Sequence, residues 1–353
     1  MKPAFRKFLN FVFLFFTFGI VLYIGLNGND IGDLANALST LSPAYLLLCL
    51  LSWALYVFFD ALSVHFFLRR QGYAIRFRSS LHSAIIGIYY SNVTPGATGG
   101  QPMQIYTLSK SKIPIGVSAS AMAIKFIVFQ VMLLLLGLVL WVAHGAFFAQ
   151  YAAGSEWFVL LGYAANLVTI SAVVLMAVCP SLVRWVIKFC IKIGVKLRIV
   201  KNPEHSAMKW ESNCQSFLSS IQLIIRHPKD VLAQCGIAVL QLMSLMLTIV
   251  AIYHAYSLSG VSDIQLVTMG VLLYIGASYT PLPGASGAQE GGFAVLFSKI
   301  FPPAKLFVAL LLWRFATYYL SVLVGAVVTT VGSVRGIRGA GKAGESPESV
   351  AEK

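Results

Sequence analysis

The sequence predicts an all-α polytopic membrane protein with six transmembrane helices and two re-entrant helix pairs, arranged as an inverted-topology repeat. Three observations lead to this fold class. The 353-residue chain is 58% hydrophobic and 11% charged, whereas soluble domains carry about 25% charged residues. Its apolar residues form runs long enough to cross a bilayer. A polar, glycine-rich phrase occurs twice, at 95–102 and at 283–290.

Six apolar segments reach the length of about 20 residues that a transmembrane helix needs. They lie at 8–26, 43–68, 114–143, 156–178, 231–257 and 304–332. The first is longer than the core of a signal peptide, and no small-residue cleavage site follows it, so we expect a retained helix. Two further apolar stretches, 81–93 and 264–279, are too short or too interrupted to cross alone. Each of them continues into one copy of the phrase.

The distribution of lysine and arginine predicts the orientation. These residues concentrate at the N-terminus, after the second span, in the segment 180–230 and in the C-terminal tail. If the six spans alternate, these regions share one side, which the positive-inside rule assigns to the cytoplasm. We therefore expect cytoplasmic N- and C-termini in a bacterial or archaeal plasma membrane, with Lys299 and Lys305 as exceptions. The formal net charge of +14 then indicates membrane orientation and not nucleic-acid binding.

The same pattern predicts one membrane domain, 1–334, and a disordered cytoplasmic tail, 335–353, that lacks apolar runs. The inverted halves are about 8–144 and 156–333, and the basic cytoplasmic segment 180–230 lies within the second half. Each half consists of two spans, an interrupted segment and a third span. The first half starts inside the cell and the second starts outside, so the two phrases enter the bilayer from opposite faces.

The two phrases, PGATGGQP and PGASGAQE, differ at only three of eight positions. Broken helices with Gly and Pro interruptions, at corresponding places in two inverted halves, mark the central site of a transporter. Two ordinary surface loops that join tilted helices are the alternative. We expect the phrases to form opposing gates, through Pro95, Gly96, Thr98, Gly99, Gly100, Gln101 and Pro102 in the first copy and Pro283, Gly284, Ser286, Gly287, Gln289 and Glu290 in the second.

Two spans contain one basic residue each, Lys125 and Arg314. They follow the glutamine of the first and second phrase by 24 and 25 residues, which places both near the bilayer midplane. If they only neutralise Asp60 and Glu290, they stabilise the fold. If they line a shared cavity, they form an anion site suited to phosphate. Asp60 and Glu290 would then balance charge or contact a cationic head group, and Tyr318, one turn after Arg314, could bond the same ligand.

The segments TPGATGGQPMQIYTLSK (94–110), TPLPGASGAQEGGF (280–293) and LLLWRF (310–315) resemble the membrane region of lysylphosphatidylglycerol synthetases. This flippase-like family includes the multiple peptide resistance factor, and the resemblance covers about 8–333. It implies a membrane domain that moves a phospholipid between leaflets. The bifunctional members also carry a soluble aminoacyl-transfer domain, for which this chain has no room. The resemblance therefore implies a flippase-like transporter and no enzyme.

Together these features predict transport of an anionic phospholipid or a polyprenyl-phosphate-linked lipid, whose phosphate Lys125 and Arg314 would hold. No catalytic residue, metal or cofactor is expected. Membrane lipids are the expected partners, and a homodimer or a lipid-modifying partner enzyme stays open. Two alternatives remain: a membrane-embedded lipid-modifying enzyme with Asp60 and Glu290 as acid–base groups, and a non-transporting scaffold. Against the enzyme, the sequence contains no HExxH or GxSxG motif.

Overall fold

The computed structural model describes residues 31–179, 215–224 and 226–343, together with the single residues 19, 181 and 212. These residues form helices and short connections, with no strand among them. The predicted first span, 8–26, and most of the basic segment 180–230 lie outside the described residues. In chain order the named helices are α1 (Ile31–Ser39), α2 (Pro43–Arg70), α3 (Phe77–Val93), α4 (Gly100–Lys110), α5 (Ile115–Ala143), α6 (Gly145–Tyr151), α7 (Glu156–Val178), α8 (Pro228–Ala255), α9 (Asp263–Ala277), α10 (Ala288–Phe297), α11 (Pro303–Arg314) and α12 (Leu320–Ala343).

Five stretches of helix are long and apolar enough to cross a membrane, and they correspond to the predicted second to sixth spans. They are Pro43–Arg70, Ile115–Ala143, Glu156–Leu175, Pro228–Ala255 and Lys305–Val331. The last of them comprises most of α11, a π turn at Phe315–Tyr319 and the first part of α12. Helix α12 continues to Ala343, so it extends into the segment 335–353 that the sequence predicts to be disordered. The residues after 343 lie outside the described part.

The ends of several helices follow from local sequence. Proline begins α2, α8 and α11, where its fixed backbone angle suits a first turn and its missing N–H is no loss. Helix α9 starts after Ser262, whose backbone N–H donates to the Gln265 side chain at 3.0 Å. This reciprocal cap satisfies a helix-start donor that would otherwise stay unpaired.

Helices α2 and α8 pack along each other through small and polar side chains. The Ser52 hydroxyl lies 2.6 Å from the Thr248 hydroxyl, and the Ser63 hydroxyl donates to Gln234 at 2.7 Å. The Gln234 amide returns a bond to the Ser63 carbonyl at 3.0 Å. Such hydrogen bonds across helices hold membrane bundles together, because lipid offers these groups no other partner. This contact joins the two halves of the chain.

Helices α5, α7 and α9 approach closely at glycine. A Cβ added at Gly162 in α7 would lie 2.2 Å from the backbone oxygen of Ile275 in α9. We therefore expect Gly162→Ala to destabilise the protein by about 1–3 kcal/mol, the cost of overpacking a dense interior. Thermal unfolding in detergent measures this. Gly236→Ala is the matched control, because Gly236 lies in α8 with open space around it and should gain up to about 1 kcal/mol of helix propensity. Equal stability of the two variants would contradict the packing argument.

The two phrases begin with nearly the same backbone and diverge at their fourth residue, where ψ is −21° at Thr98 and 142° at Ser286. Each begins with a 3₁₀ turn, Pro95–Ala97 in the first copy and Pro283–Ala285 in the second. The φ angles are 58° and 56° at Gly96 and Ala97, and 61° and 52° at Gly284 and Ala285. Alanine is costly in this left-handed region, by about 1–2 kcal/mol. The shared strain at corresponding positions shows that the sequence repeat is also a structural repeat.

Each turn joins two helices into a pair. Helix α3 leads through the first turn into α4, and α9 leads through the second into α10. The members of each pair pack on one another, and the two turns contact each other where the pairs meet. The phrases therefore come together at one place in the fold. Helix α3 begins at Phe77, four residues before the apolar stretch 81–93 that predicts it.

Candidate functional site

A cavity of about 510 Å³ lies where the two turns meet. Its wall includes both predicted cations, Lys125 and Arg314. Of the other predicted site residues, the wall contains Asp60, Gly96, Thr98, Gly100, Gln101, Gly284, Gln289 and Tyr318. The remaining predicted positions are absent from the wall: Pro95, Gly99, Pro102, Pro283, Ser286, Gly287 and Glu290. The structure thus brings both phrases and both cations to one cavity.

Lys125 forms a buried ion pair with Asp60. Its Nζ atom lies 2.9 Å from both carboxylate oxygens and donates a third bond to the Gln104 side-chain oxygen at 2.9 Å. Asp60 also accepts bonds from the amides of Gln104, at 3.2 Å, and Gln241, at 3.1 Å. A buried charge pair is tolerated when the remaining lone pairs are satisfied in this way. Asp60 therefore balances the charge of Lys125.

Arg314 is held by the second phrase. Its Nε atom lies 2.7 Å from a Glu290 carboxylate oxygen. That N–H is not aligned for a hydrogen bond, so the contact is an ion pair. The two terminal nitrogens donate to the Gly284 carbonyl at 3.2 and 3.1 Å, and one of them also reaches the Ser286 hydroxyl at 3.3 Å. The buried guanidinium, 4% exposed, thereby fixes the turn against α11.

Glu290 also organises the start of α10. Its second carboxylate oxygen accepts the backbone N–H of Gly287 at 2.7 Å, which satisfies one of the unpaired donors at a helix N-terminus. The negative charge lies in the first turn of α10, where the helix dipole favours it. Glu290 is not part of the cavity wall. It supports the site indirectly, by holding the second turn and Arg314 in place.

A π turn, Phe315–Tyr319, directly follows Arg314. Single π turns within α-helices are frequent at functional sites. Here the turn presents the Tyr318 ring to the guanidinium, whose carbon lies 4.5 Å from the ring centre. The Tyr318 ring also packs against Gly284. This contact requires glycine, because an added Cβ there would lie 2.1 Å from the ring. The predicted proximity of Tyr318 to Arg314 is a feature of the structure.

Sequence reasoning missed several polar residues that support the wall. Gln104 and Gln241 hold Asp60. Gln130 donates to Asn166 and, at 2.8 Å, to the Tyr279 hydroxyl. A signal was present for Gln130, Asn166 and Gln241, because uncharged amides inside predicted spans need a partner in the absence of water; Gln104 lies outside the predicted spans and had no such signal. They show that the polar region extends from the cations towards α7.

The residues 9–325 match the family described as the lysylphosphatidylglycerol synthase TM region. The chain belongs to this family. Among curated relatives, a UPF0104 membrane protein of Methanocaldococcus jannaschii is 23% identical over 335 residues, which cover 90% of this chain and 91% of the relative. A UPF0104 membrane protein of Archaeoglobus fulgidus is 25% identical over 282 residues, which cover 72% of this chain and 76% of the relative.

In this member of the family, the match spans all five membrane-length stretches except the end of the last. It also includes both phrases, both cations and Asp60 and Glu290. Both relatives are named as membrane proteins, in agreement with these apolar helices. The chain is therefore a multi-pass membrane protein of the lysylphosphatidylglycerol synthase TM family.

Proposed function

We propose that this protein is a flippase-like transporter that moves an anionic phospholipid or a polyprenyl-phosphate-linked lipid between the leaflets of the bilayer. The observation that carries the proposal is the wall of the cavity, which contains Lys125, Arg314 and both strained turns. A cavity bounded by two copies of a broken-helix motif is the arrangement that transporters use for a central site. The family match supports the same class of function.

The proposed membrane arrangement has six spans, with 8–26 as the first, and two re-entrant pairs. In this arrangement α3–α4 enters from the cytoplasmic side and α9–α10 from the outer side of a bacterial or archaeal plasma membrane. Both termini are cytoplasmic, as the positive-inside rule requires. The contact between the two turns supports this arrangement, because re-entrant pairs from opposite faces would meet at mid-depth. The lipid tails would stay in the bilayer while the head group crosses through the cavity.

Arg314 is the better placed cation for the lipid phosphate. An ammonium group has three N–H donors, and Lys125 directs them to Asp60 and Gln104. A guanidinium has five donors in a planar fork, and the contacts of Arg314 with Glu290, Gly284 and Ser286 involve at most four of them. The phosphate would therefore contact Arg314 first, while Lys125 contributes its charge.

We favour transport over catalysis because of the carboxylates. A general acid or base must exchange a proton with a substrate within hydrogen-bond reach. Asp60 is occupied by four hydrogen bonds, and Glu290 stands outside the cavity wall. Neither carboxylate is therefore free to exchange a proton with a substrate, as the alternative, a lipid-modifying enzyme, would require.

Lipid movement in reconstituted vesicles tests the proposal. We expect the wild-type protein to expose NBD-labelled phosphatidylglycerol of the inner leaflet to dithionite, and the variant Arg314→Gln to do so at least about tenfold more slowly. The reason is the loss of a charged hydrogen bond to phosphate, which contributes about 1.5–3 kcal/mol. Full activity of Arg314→Gln would overturn the phosphate role, and no movement by the wild type would overturn the proposal.

Two variants separate this effect from misfolding. The double variant Arg314→Gln/Glu290→Gln leaves neither partner charged and unpaired, and it should fold and be slowed as much as Arg314→Gln. Lys305→Gln removes a cation from the start of the same helix, where Lys305 lies over the Tyr256 ring and outside the cavity wall. Lys305→Gln should keep wild-type rates, so a loss in this variant would point to a general effect of surface charge.

A further inference from the structure

The cavity wall contains several groups that can only accept a hydrogen bond from a ligand. Several wall hydroxyls already donate their proton to a backbone carbonyl in their own helix or turn. They are Thr98 to Pro95 at 3.0 Å, Thr169 to Ala165 at 2.9 Å, Ser278 to Tyr274 at 2.7 Å, Thr280 to Ala277 at 3.1 Å and Thr317 to Trp313 at 2.7 Å. A hydroxyl has one proton and two acceptor lone pairs, so these groups can only accept from a ligand.

An unpaired acceptor lies in the same wall. Gln289 lines the cavity and is 7% exposed, and its side-chain oxygen has no hydrogen-bond partner among the described residues. A buried acceptor without a partner costs about 1–3 kcal/mol. The oxygen itself is closed off from solvent, so a ligand that donates a hydrogen bond to it would recover that cost once the Gln289 amide turns into the cavity.

A phosphate cannot use these acceptors, because an ionised phosphate oxygen is itself an acceptor. A ligand that uses these acceptors carries O–H or N–H donors in addition to its phosphate. A cationic amine is disfavoured as the donor, since a buried cation needs an available negative partner. Asp60 is the acidic residue in the wall, and its charge is already matched by Lys125. Uncharged hydroxyl groups meet the requirement without a counter-charge.

We infer that the head group of the transported lipid carries an uncharged, hydroxyl-rich group, such as an inositol or a sugar, on its phosphate. The inference rests on the proposed function, in that the ligand is a lipid phosphate held near Arg314. The volume of about 510 Å³ falls in the range of about 300–1,000 Å³ for sites that enclose a small organic group. Aromatic wall residues, including Tyr56, Phe129 and Trp313, can pack on the apolar faces of a polyol ring.

Two lipid sources share this chemistry, and matched pairs of short-chain lipids distinguish them. Dioctanoyl phosphatidylinositol and dioctanoyl phosphatidic acid differ in the polyol of a glycerolipid. Citronellyl phosphoryl glucose and citronellyl phosphate differ in the sugar of a polyprenyl-type lipid. Isothermal titration calorimetry of the full chain in detergent gives Kd for each, with dioctanoyl phosphatidylethanolamine as the amine-bearing comparison.

We expect at least one pair to show tighter binding of the hydroxyl-rich member, by about tenfold or more, and that pair identifies the source. Gln289→Leu should reduce this preference by about tenfold, the value of one hydrogen bond. Gln101→Leu, at the exposed equivalent position of the first phrase, provides a second variant if Gln289→Leu does not fold, with the same expected direction.

Equal Kd values within both pairs, tighter binding of the amine lipid, or no binding of any of the five lipids would overturn the inference. Calorimetry measures binding in the absence of transport, so the head-group inference and the proposed function can each fail while the other stands. Movement of phosphatidylglycerol without a hydroxyl preference would keep the proposed function and remove this inference. A hydroxyl preference without lipid movement would keep the cavity assignment and remove the transport role.

Discussion

Replacing Asp60 with asparagine should lower the free energy of unfolding by about 3–5 kcal/mol, the cost of leaving one member of a buried ion pair without its partner. Asparagine has nearly the same shape but no charge, so the change isolates the loss of the carboxylate. The Lys125 ammonium, whose side chain is 14% exposed, would then be buried without a counter-charge. Denaturation by SDS in mixed micelles, followed by circular dichroism, measures the difference from the wild type.

A double variant and a surface pair serve as controls for this prediction. Asp60→Asn/Lys125→Met leaves no charge unpaired and should recover most of the lost stability. Asp263→Asn removes the carboxylate of the exposed His254–Asp263 pair, whose side chains are 36% and 63% exposed, and should cost about 1 kcal/mol or less. A wild-type melting curve for Asp60→Asn, or a double variant less stable than the single one, would show that the pair does not hold the fold.

The second large effect is expected at Gly284, where the repeat supplies its own control. Gly284→Ala and Gly96→Ala each place alanine at a left-handed backbone position, with φ of 61° and 58°, at a cost of about 1–2 kcal/mol. Only the first also meets a close neighbour, since its Cβ would lie 2.1 Å from the Tyr318 ring. At Gly96 the nearest atom beyond the adjoining residues, in the Thr98 side chain, would be 3.9 Å away. Gly284→Ala should therefore be less stable than Gly96→Ala by about 1–3 kcal/mol.

This difference between corresponding glycines is measured by thermal unfolding of both variants under one condition. Gly284→Ala should also displace Tyr318 from Arg314 and slow lipid movement, whereas Gly96→Ala should affect transport less. Equal loss of stability in both variants would mean that backbone strain alone accounts for the effect. The comparison removes the shared backbone term, because the two turns have the same conformation.

Much of the fold follows from the sequence because its strongest signals are local. Apolar runs of membrane length need only composition, and the described residues contain helices at five of the predicted spans. The turns at Pro95–Ala97 and Pro283–Ala285 were expected from Gly and Pro, which favour sharp reversals. The all-helical architecture is confirmed for the described residues, while the full inverted arrangement stays part of the proposal.

The partners within the site could not be assigned from the sequence, since they depend on long-range packing. Asp60 and Lys125 are separated by 65 positions, and Glu290 could have balanced either cation. The role of Glu290 at the start of α10 depends on the path of the chain through Gly287. The amides of Gln104 and Gln241 were not predicted at all, because no spacing rule joins them to a carboxylate elsewhere in the fold.

If the two turns act as the gates of the proposed transporter, the Arg314 contacts with the Gly284 carbonyl have a kinetic consequence. The second turn accepts two hydrogen bonds from the Arg314 guanidinium, and each contributes about 1.5–3 kcal/mol. Within the described residues, no cationic side chain donates a hydrogen bond to the first turn. Displacing the second turn must break these bonds, so its opening has the higher barrier. The two turns, although alike in sequence, would thus open at unequal rates, and a phosphate that draws Arg314 away from Gly284 would itself release the slower one.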